Sequence, residues 1–445
     1  MKGMLNPRYI FVTFFYKKKF VLNVYLAMLK LFFTLFTFNF CFAEYPDYNA
    51  TISGDHYPGY LFIHSISQNN PHIGILDHDL SLKWEVFSGN FTSVPSSNFG
   101  MDFKVNNEKL TYFHTSYTSN NYWIVADRYM NEIDTIQCAN NKETDFHEIK
   151  LLDNGGYILQ CYDSTWVYLD SNAHMPQILN EILIIQEFNN LDSLIFEWNA
   201  LDYLSIGDYP NLNLSNPSVG FMHGNSIEID TDSNLLISNR TSDEVLKIDR
   251  NSGDIIWTLG GPNNEFQFIN DPLNGFNKQH DVRRIENGNI TMFDNGTLHE
   301  PMVSRALEYQ LDEINKTATL IWEYIHPDSL VSIAMGSVQR LPNNNTLINW
   351  GFFWETIILN AGTIITEVDY EKNLVLNITY PQDYYAYRVQ KHNWDFSINT
   401  IKGDTNLDDI INVLDIMNIV HQVLDPPENI TLFNRHKADL NTDGI

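Results

Sequence analysis

The sequence predicts an all-β protein, a six-bladed β-propeller followed by a small α-helical calcium-loop segment. Three observations predict it. A hairpin of two short strands recurs along the chain roughly every 40–60 residues, the period at which four-stranded blades repeat. A tryptophan-bearing strand recurs later in most units, and no convincing amphipathic helix occurs before residue 400. Past Gln390 the composition shifts to Asp and Asn at alternating places, then to an apolar helical pattern.

Taken in chain order, residues 1–43 read as a signal peptide. Lys17 to Lys19 are basic, an apolar stretch follows, and Cys41, Phe42 and Ala43 form a small-x-small cleavage site. Met28 is an alternative start that leaves a compact signal by itself. An uncleaved anchor over residues 20–43 is the rival reading, opposed by Asn23 and Lys30. A secreted or periplasmic protein is expected, with a cell-surface position as a variant of that placement. The mature chain then keeps Cys138 and Cys161. Export permits them to pair, but two cysteines do not establish a disulfide.

Residues 44–395 hold the repeats. "HDVRRIENGNITMF" from His280 aligns with "HEIKLLDNGGYILQ" from His147 and, with two extra residues, with "HGNSIEIDTDSNLLIS" from His223. It also aligns with "GSVQRLPNNNTLINW" from Gly336 and more loosely with "GMDFKVNNEKLTYF" from Gly100. Asn287-Gly288 is expected to supply a positive-φ pair for a tight hairpin turn. Trp84, Trp198, Trp257 and Trp322 mark the later strand and are expected to pack between blades. Counting from about residue 58 gives six blades, the first and last being the most degenerate.

The bulk composition fits. With 445 residues, 44% hydrophobic and only 18% charged, the chain can bury a large core and carry an appendage. A formal net charge of −28 argues against nucleic acid and anionic membrane surfaces as partners.

The first strand of a propeller blade lines the central channel. The aligned residues at its start are Gly100, His147, His223, His280 and Gly336, so three histidines converge on the channel, which packing alone does not require. Asn225 stands two residues after His223, and Arg240, in "LLISNR", is read on the next strand of the same blade. Histidine serves as nucleophile or acid–base near neutral pH, while Arg and Asn are fixed donors for anionic oxygens. Together they suit transfer of a sulfuryl or phosphoryl group. Three histidines also suit zinc, but the arginine would repel the cation. Arg283 and Arg284 are read as structural, ion-paired residues, only one of which can face the channel.

Residues 401–445 form the appendage. Asp404, Asn406, Asp408, Asn412 and Asp415 occupy positions 1, 3, 5, 9 and 12 of a loop, with the carbonyl of Ile410 at position 7, the spacing a Ca²⁺ ion requires. "DLNTDGI" restarts the pattern at Asp439, Asn441 and Asp443, a second repeat that reads as truncated. This unit resembles a type I dockerin, which implies Ca²⁺ and a cohesin-like partner.

Over roughly residues 58–390 the chain resembles the arylsulfotransferases. The resemblance is carried by "PGYLFIHS", "FHEIKLLDNGGYIL", "MHGNSIEID", "LLISNR", "VLKIDRNSGDIIWTLGG", "QHDVRRIENGNITMFDNG", "SRALEYQLD", "ATLIWEY" and "GSVQRLPNNNTLINWG". It implies a six-bladed propeller in which a channel histidine takes the sulfuryl group from an aryl sulfate and passes it to another phenol. Neither a nucleotide sulfate donor nor a catalytic cofactor is implied. By motif the nucleophile falls on His280 of "QHD". Sulfate-binding and acid–base roles fall on His147, His223 and Arg240, with Asn225 binding substrate. The competing expectation is a non-catalytic propeller, a binding module displayed through the dockerin-like tail.

Overall fold

The structure, a computed structural model, describes residues 45–394 except 69, 89–96, 117–120, 129, 170–174 and 354–359, together with 413, 415–417 and 420. The signal-peptide segment and the calcium ligands Asp404, Asn406, Asp408, Ile410 and Asn412 lie outside the described residues. Asp415 is described, helical and buried, while Val413, Ile416, Met417 and Val420 are helical and exposed.

Six sheets of four or five strands follow one another around a ring, as expected. Blade 2 is Ser97–Asn106, Lys109–Ser116, Tyr122–Ala126 and Glu132–Ile136. Blade 3 is Glu143–Leu151, Tyr157–Val167, Gln177–Phe188 and Leu194–Asn199. Blade 4 is Gly224–Ile229, Leu235–Asn239, Glu244–Ile248 and Ile255–Gly260. Blade 5 is His280–Arg284, Ile290–Asp294, Arg305–Asp312 and Thr317–Ile325. Blade 6 is Ser337–Arg340, Thr346–Asn349, Ile364–Val368 and Leu374–Thr379.

Blade 1 explains why the first unit looks degenerate. Tyr60–Ser65, His72–Leu76 and Leu82–Phe87 supply only three of its strands, and the innermost one, Val389–His392, arrives from the far end of the domain. Asn49–Ile52 closes the ring a second time by pairing with the outer strand of blade 6. Each closure ties sequence-distant segments by backbone hydrogen bonds, so the ring has no loose seam.

The tryptophans pack between blades as expected. Trp84 shares a core with Phe103 and Tyr112 of blade 2, and Trp198 with Ile227 and Leu235 of blade 4. Trp257 packs with Ile290 and Met292 of blade 5, and Trp322 with Val338 and Ile348 of blade 6. Each indole sits on an outer strand and covers the next blade, so removing one would cost about 3–5 kcal/mol at a seam. Blade 2 lacks this tryptophan; Ile136 fills the role against Ile149 and Leu159.

The hairpin turn differs from expectation. Only Gly288 takes a positive φ, +86°, and Asn287 does not. Gly288 N–H donates to Ile285 O at 2.9 Å and Ile285 N–H to Asn289 O at 2.9 Å, a three-residue connection ending in a left-handed residue. Asn287 contributes its side chain, whose Oδ1 accepts from Asn289 N–H at 2.9 Å. Gly155, Ser233 and Asn344 occupy the same left-handed place in blades 3, 4 and 6.

Candidate active site

The two glycines of the channel array are structural. Gly100 and Gly336 have φ of +108° and +106°, and a Cβ would meet Ile73 at 2.6 Å or Phe293 at 2.4 Å. The sixth equivalent place, which sequence alignment missed, precedes the C-terminal inner strand of blade 1 and is Tyr387; Arg388 after it shares the place of Asp281 and Ser337.

His280 is buried at the start of the blade 5 inner strand. Asp281 follows at φ +58°, and the register with the next strand shifts between His280 and Arg283. This bulge re-aims the strand start, a common device beside functional sites. The His280 Nδ1 lies 2.7 Å from Asn295 Oδ1 and 3.1 Å from Lys278 O. Both partners are acceptors, so Nδ1 carries the proton and Nε2 keeps its lone pair. Asn295 cannot turn its amide the other way, because its Nδ2 donates to Ser332 Oγ at 3.1 Å, Ser332 O at 3.3 Å and Met335 O at 3.0 Å. Burial holds His280 well below the usual imidazole range; the Asn295 hydrogen bond pulls the other way, and Arg240, His223 and His147 add to the depression.

The other two histidines are supported by carboxylates. His147 Nδ1 is 2.6 Å from Asp145 Oδ1, an oxygen that also accepts from His147 N–H and from Gln160 Nε2 at 2.8 Å. The Phe146 ring stacks on His147 at 4.0 Å between centroids, and His147 meets the edge or face of His223 at 4.6 Å. His223 Nδ1 lies 3.3 Å from Glu181 Oε1, and its hydrogen bond draws the Glu181 carboxyl below the ordinary range. The three channel histidines differ in place and in partner: by strand register Asn225, not His223, matches His280, and two of the histidines have a carboxylate at Nδ1 while one has an amide oxygen.

Arg240 is tied to this group through its backbone, donating N–H to His223 O at 2.8 Å. Its Nη2 donates to Ile333 O at 2.9 Å, while Nε is buried without a hydrogen-bond partner among the described residues. An orphaned guanidinium N–H is costly unless an anion meets it. Burial depresses the Arg240 pKa, against the pull of Asp243 and Glu181. Asn225 is fully buried and donates from Nδ2 to Gln279 O at 2.6 Å, which fixes the residue just before His280. Its own carbonyl accepts from Tyr387 Oη at 3.0 Å.

An ion network lines the channel beside these groups. Arg388 reaches Asp102 at 2.8 Å, Asp281 at 2.9 Å and Glu148 at 3.3 Å. Arg283 reaches Glu148 at 2.6 Å and Asp281 at 2.7 Å, and Lys104 bridges Asp102 and Glu148. Three acids meet three bases, and losing one partner of such a buried set costs on the order of 3–5 kcal/mol. Arg283 is therefore the channel-facing arginine, while Arg284 pairs with Asp230 and Glu313 away from it.

Sequence reasoning missed Asp145, Glu181, Asn295, Tyr387 and Arg388. Asp145 was within reach, two residues before His147 in "DFH". Glu181 and Asn295 sit in unremarkable strand and turn sequence, and only the fold brings them to a histidine.

The arylsulfotransferase (ASST) family model matches residues 103–388. No curated protein matches the chain significantly. Among solved structures, a Bacteroides caccae protein of unknown function is similar at 12% identity and a TM-score of 0.48, covering 75% of this chain and 99% of that one. A catalytically inactive virginiamycin B lyase from Staphylococcus aureus, solved with quinupristin, is similar at 10% identity and a TM-score of 0.36, covering 76% and 89%. The family match takes in every histidine of the channel array together with Asn225, Arg240 and Arg388, and on its extent this chain belongs to the arylsulfotransferase family.

Proposed function

We propose that the protein is an exported aryl-sulfate sulfotransferase that moves a sulfuryl group from a phenolic sulfate ester to a second phenol through a sulfohistidine at His280. The observation that carries the reading is a buried, neutral His280 whose Nδ1–H is held by Asn295, leaving Nε2 as a nucleophile within electrostatic range of Arg240, His147 and His223.

In the first half-reaction the Nε2 lone pair attacks sulfur, the N–S bond forms, and the S–O bond to the aryl group breaks with its electron pair on the phenolate oxygen. His147 or His223 delivers the proton that oxygen takes. In the second half-reaction the same histidine removes the proton of an incoming phenol, whose oxygen attacks sulfur as the N–S bond returns its pair to Nε2. Splitting the transfer into two displacements at one nitrogen is ordinary covalent catalysis. The transition state places charge on the sulfuryl oxygens, where the unpartnered Nε–H of Arg240 is a fixed donor. Asn225 holds the strand entering His280 and is assigned to the substrate-binding set. Residues 1–43 serve export, and Asp404, Asn406, Asp408, Ile410, Asn412 and Asp415 hold Ca²⁺ in a tail that docks on a cohesin-like partner.

The test is a single-turnover experiment with a chromogenic aryl sulfate and no acceptor. The wild type should release one phenol per enzyme in a burst and gain a sulfuryl mass on the peptide containing His280. His280→Ala should do neither, whereas His147→Ala and His223→Ala should modify the same peptide more slowly. Mass on another histidine, or multiple turnovers by His280→Ala, would remove this mechanism.

A further inference from the structure

A cavity of about 730 Å³ opens beside His147 and His223. Its wall comes from blade 3 and from residues 218–223, and His280 belongs to blade 5. Phe146, Tyr162 and Ile178 give it apolar faces. Tyr162 is fixed by its hydroxyl, which donates to Gly224 O at 3.2 Å, and Phe146 by its stack on His147. Carboxylates of Glu143, Asp163 and Glu181 line the same cavity, with no lysine or arginine among the lining residues. Lys142 pairs with Asp163 from outside it, His223 pairs with Glu181, and Glu143 is exposed.

Displacement at sulfur requires the attacking and leaving atoms to lie in line. With the N–S bond on His280, both the departing phenol and the arriving one must occupy the side away from His280. The acid–base histidines must touch the same oxygen, so the aryl ring belongs in the space those histidines border. The cavity is that space. It is large enough for a ring with a substituent, and apart from the two histidines its titratable acid–base groups are carboxylates, Asp145 among them, and the Tyr162 hydroxyl.

We infer that this cavity is the aryl subsite, occupied in turn by the leaving phenol and the acceptor phenol, and that its carboxylates select phenols bearing a cationic substituent. The inference rests on the sulfuryl-transfer reading and adds to it a place and a substrate class. Phenolic amines are favoured acceptors and phenolic acids are disfavoured, because a carboxylate on the ring would face Glu143, Asp163 and Glu181 at short range.

The experiment compares three acceptors of one size: para-hydroxyphenylethylamine, para-hydroxyphenylethanol and para-hydroxyphenylacetate, each with para-nitrophenyl sulfate as donor. The expected order of kcat/KM is amine, alcohol, acid, with about a tenfold span at low salt that shrinks as salt is added. Glu143→Gln combined with Asp163→Asn should compress the span several-fold. Equal kcat/KM for the three acceptors, or a span that survives in the double variant, would overturn the inference while leaving the burst, and hence the transfer reading, standing. Absence of a burst in the wild type would overturn the transfer reading instead. Calorimetric binding of the three phenols then judges the subsite directly, and the amine must bind more tightly than the acid to wild type and lose that advantage in the double variant.

Discussion

Asn295→Ala separates a nucleophile from a histidine that merely lies in a channel. The wild-type amide accepts the Nδ1–H of His280 at 2.7 Å. Alanine removes that acceptor and leaves Lys278 O, at 3.1 Å, as the remaining acceptor for Nδ1–H. A buried donor that loses its partner costs about 1–3 kcal/mol. That cost falls on the reactive tautomer alone, so the form with the proton on Nε2 becomes competitive, and it has no lone pair to attack sulfur. At about 1.4 kcal/mol per decade, the burst rate should fall roughly 5- to 150-fold. Apparent donor affinity should change little, since Arg240 and the other two histidines remain. Stopped-flow release of nitrophenol without acceptor measures the burst. Chemical denaturation measures how much stability is lost with the Asn295 contacts to Ser332 and Met335. A folded Asn295→Ala protein with a wild-type burst would refute the tautomer argument. The pH dependence adds a second check. Burial depresses the folded-state pKa of His280, so the neutral form contributes stability that is complete above the unfolded pKa of about 6.5 and is lost as pH falls below it. His280→Gln should therefore weaken the acid-side loss of stability, and an unchanged acid limb would mean that His280 is not the group responsible.

Arg240→Lys should lower the burst rate by about 10²–10³-fold, equivalent to about 2.7–4 kcal/mol, because an ammonium cannot replace a guanidinium whose Nη2 is already bound to Ile333 O and whose Nε awaits an anion. Retained turnover in the lysine variant would make Arg240 structural. Cys138 and Cys161 form a disulfide that closes a 23-residue separation between blade 2 and the second strand of blade 3. Its replacement by two serines should cost about 3 kcal/mol, read from urea unfolding of both proteins, and equal midpoints would show the bridge to be dispensable.

How much of this was legible depends on how far apart the partners lie. The blades were legible because each repeats a local pattern, and the tryptophans because each marks the strand that covers its neighbour. The turn was misjudged by one residue: Asn287-Gly288 reads as a two-residue turn, yet Asn287 bonds with its side chain and only Gly288 turns left-handed. Arg388 was not legible. It joins the channel's ion network only because the ring closes with a strand from the opposite end, and its partner Asp102 is 286 residues away. The calcium loop, apart from Asp415, lies outside the described residues.

The histidines carry the deeper lesson. Alignment made His147, His223 and His280 equivalent, and equivalence is silent about which one attacks. What distinguishes them is the atom facing Nδ1, which has a different origin in each case: Asp145 from the same strand as His147, Glu181 from the third strand of the preceding blade, and Asn295 from just beyond the second strand of His280's own blade. A carboxylate at Nδ1 supports an imidazole that must gain and lose a proton. An amide oxygen fixes the same tautomer without stabilising the cation to the same degree, and burial then keeps the ring neutral. A propeller can thus repeat one residue around its channel and still give the copies different surroundings, because each copy meets its own strands and its own neighbouring blade.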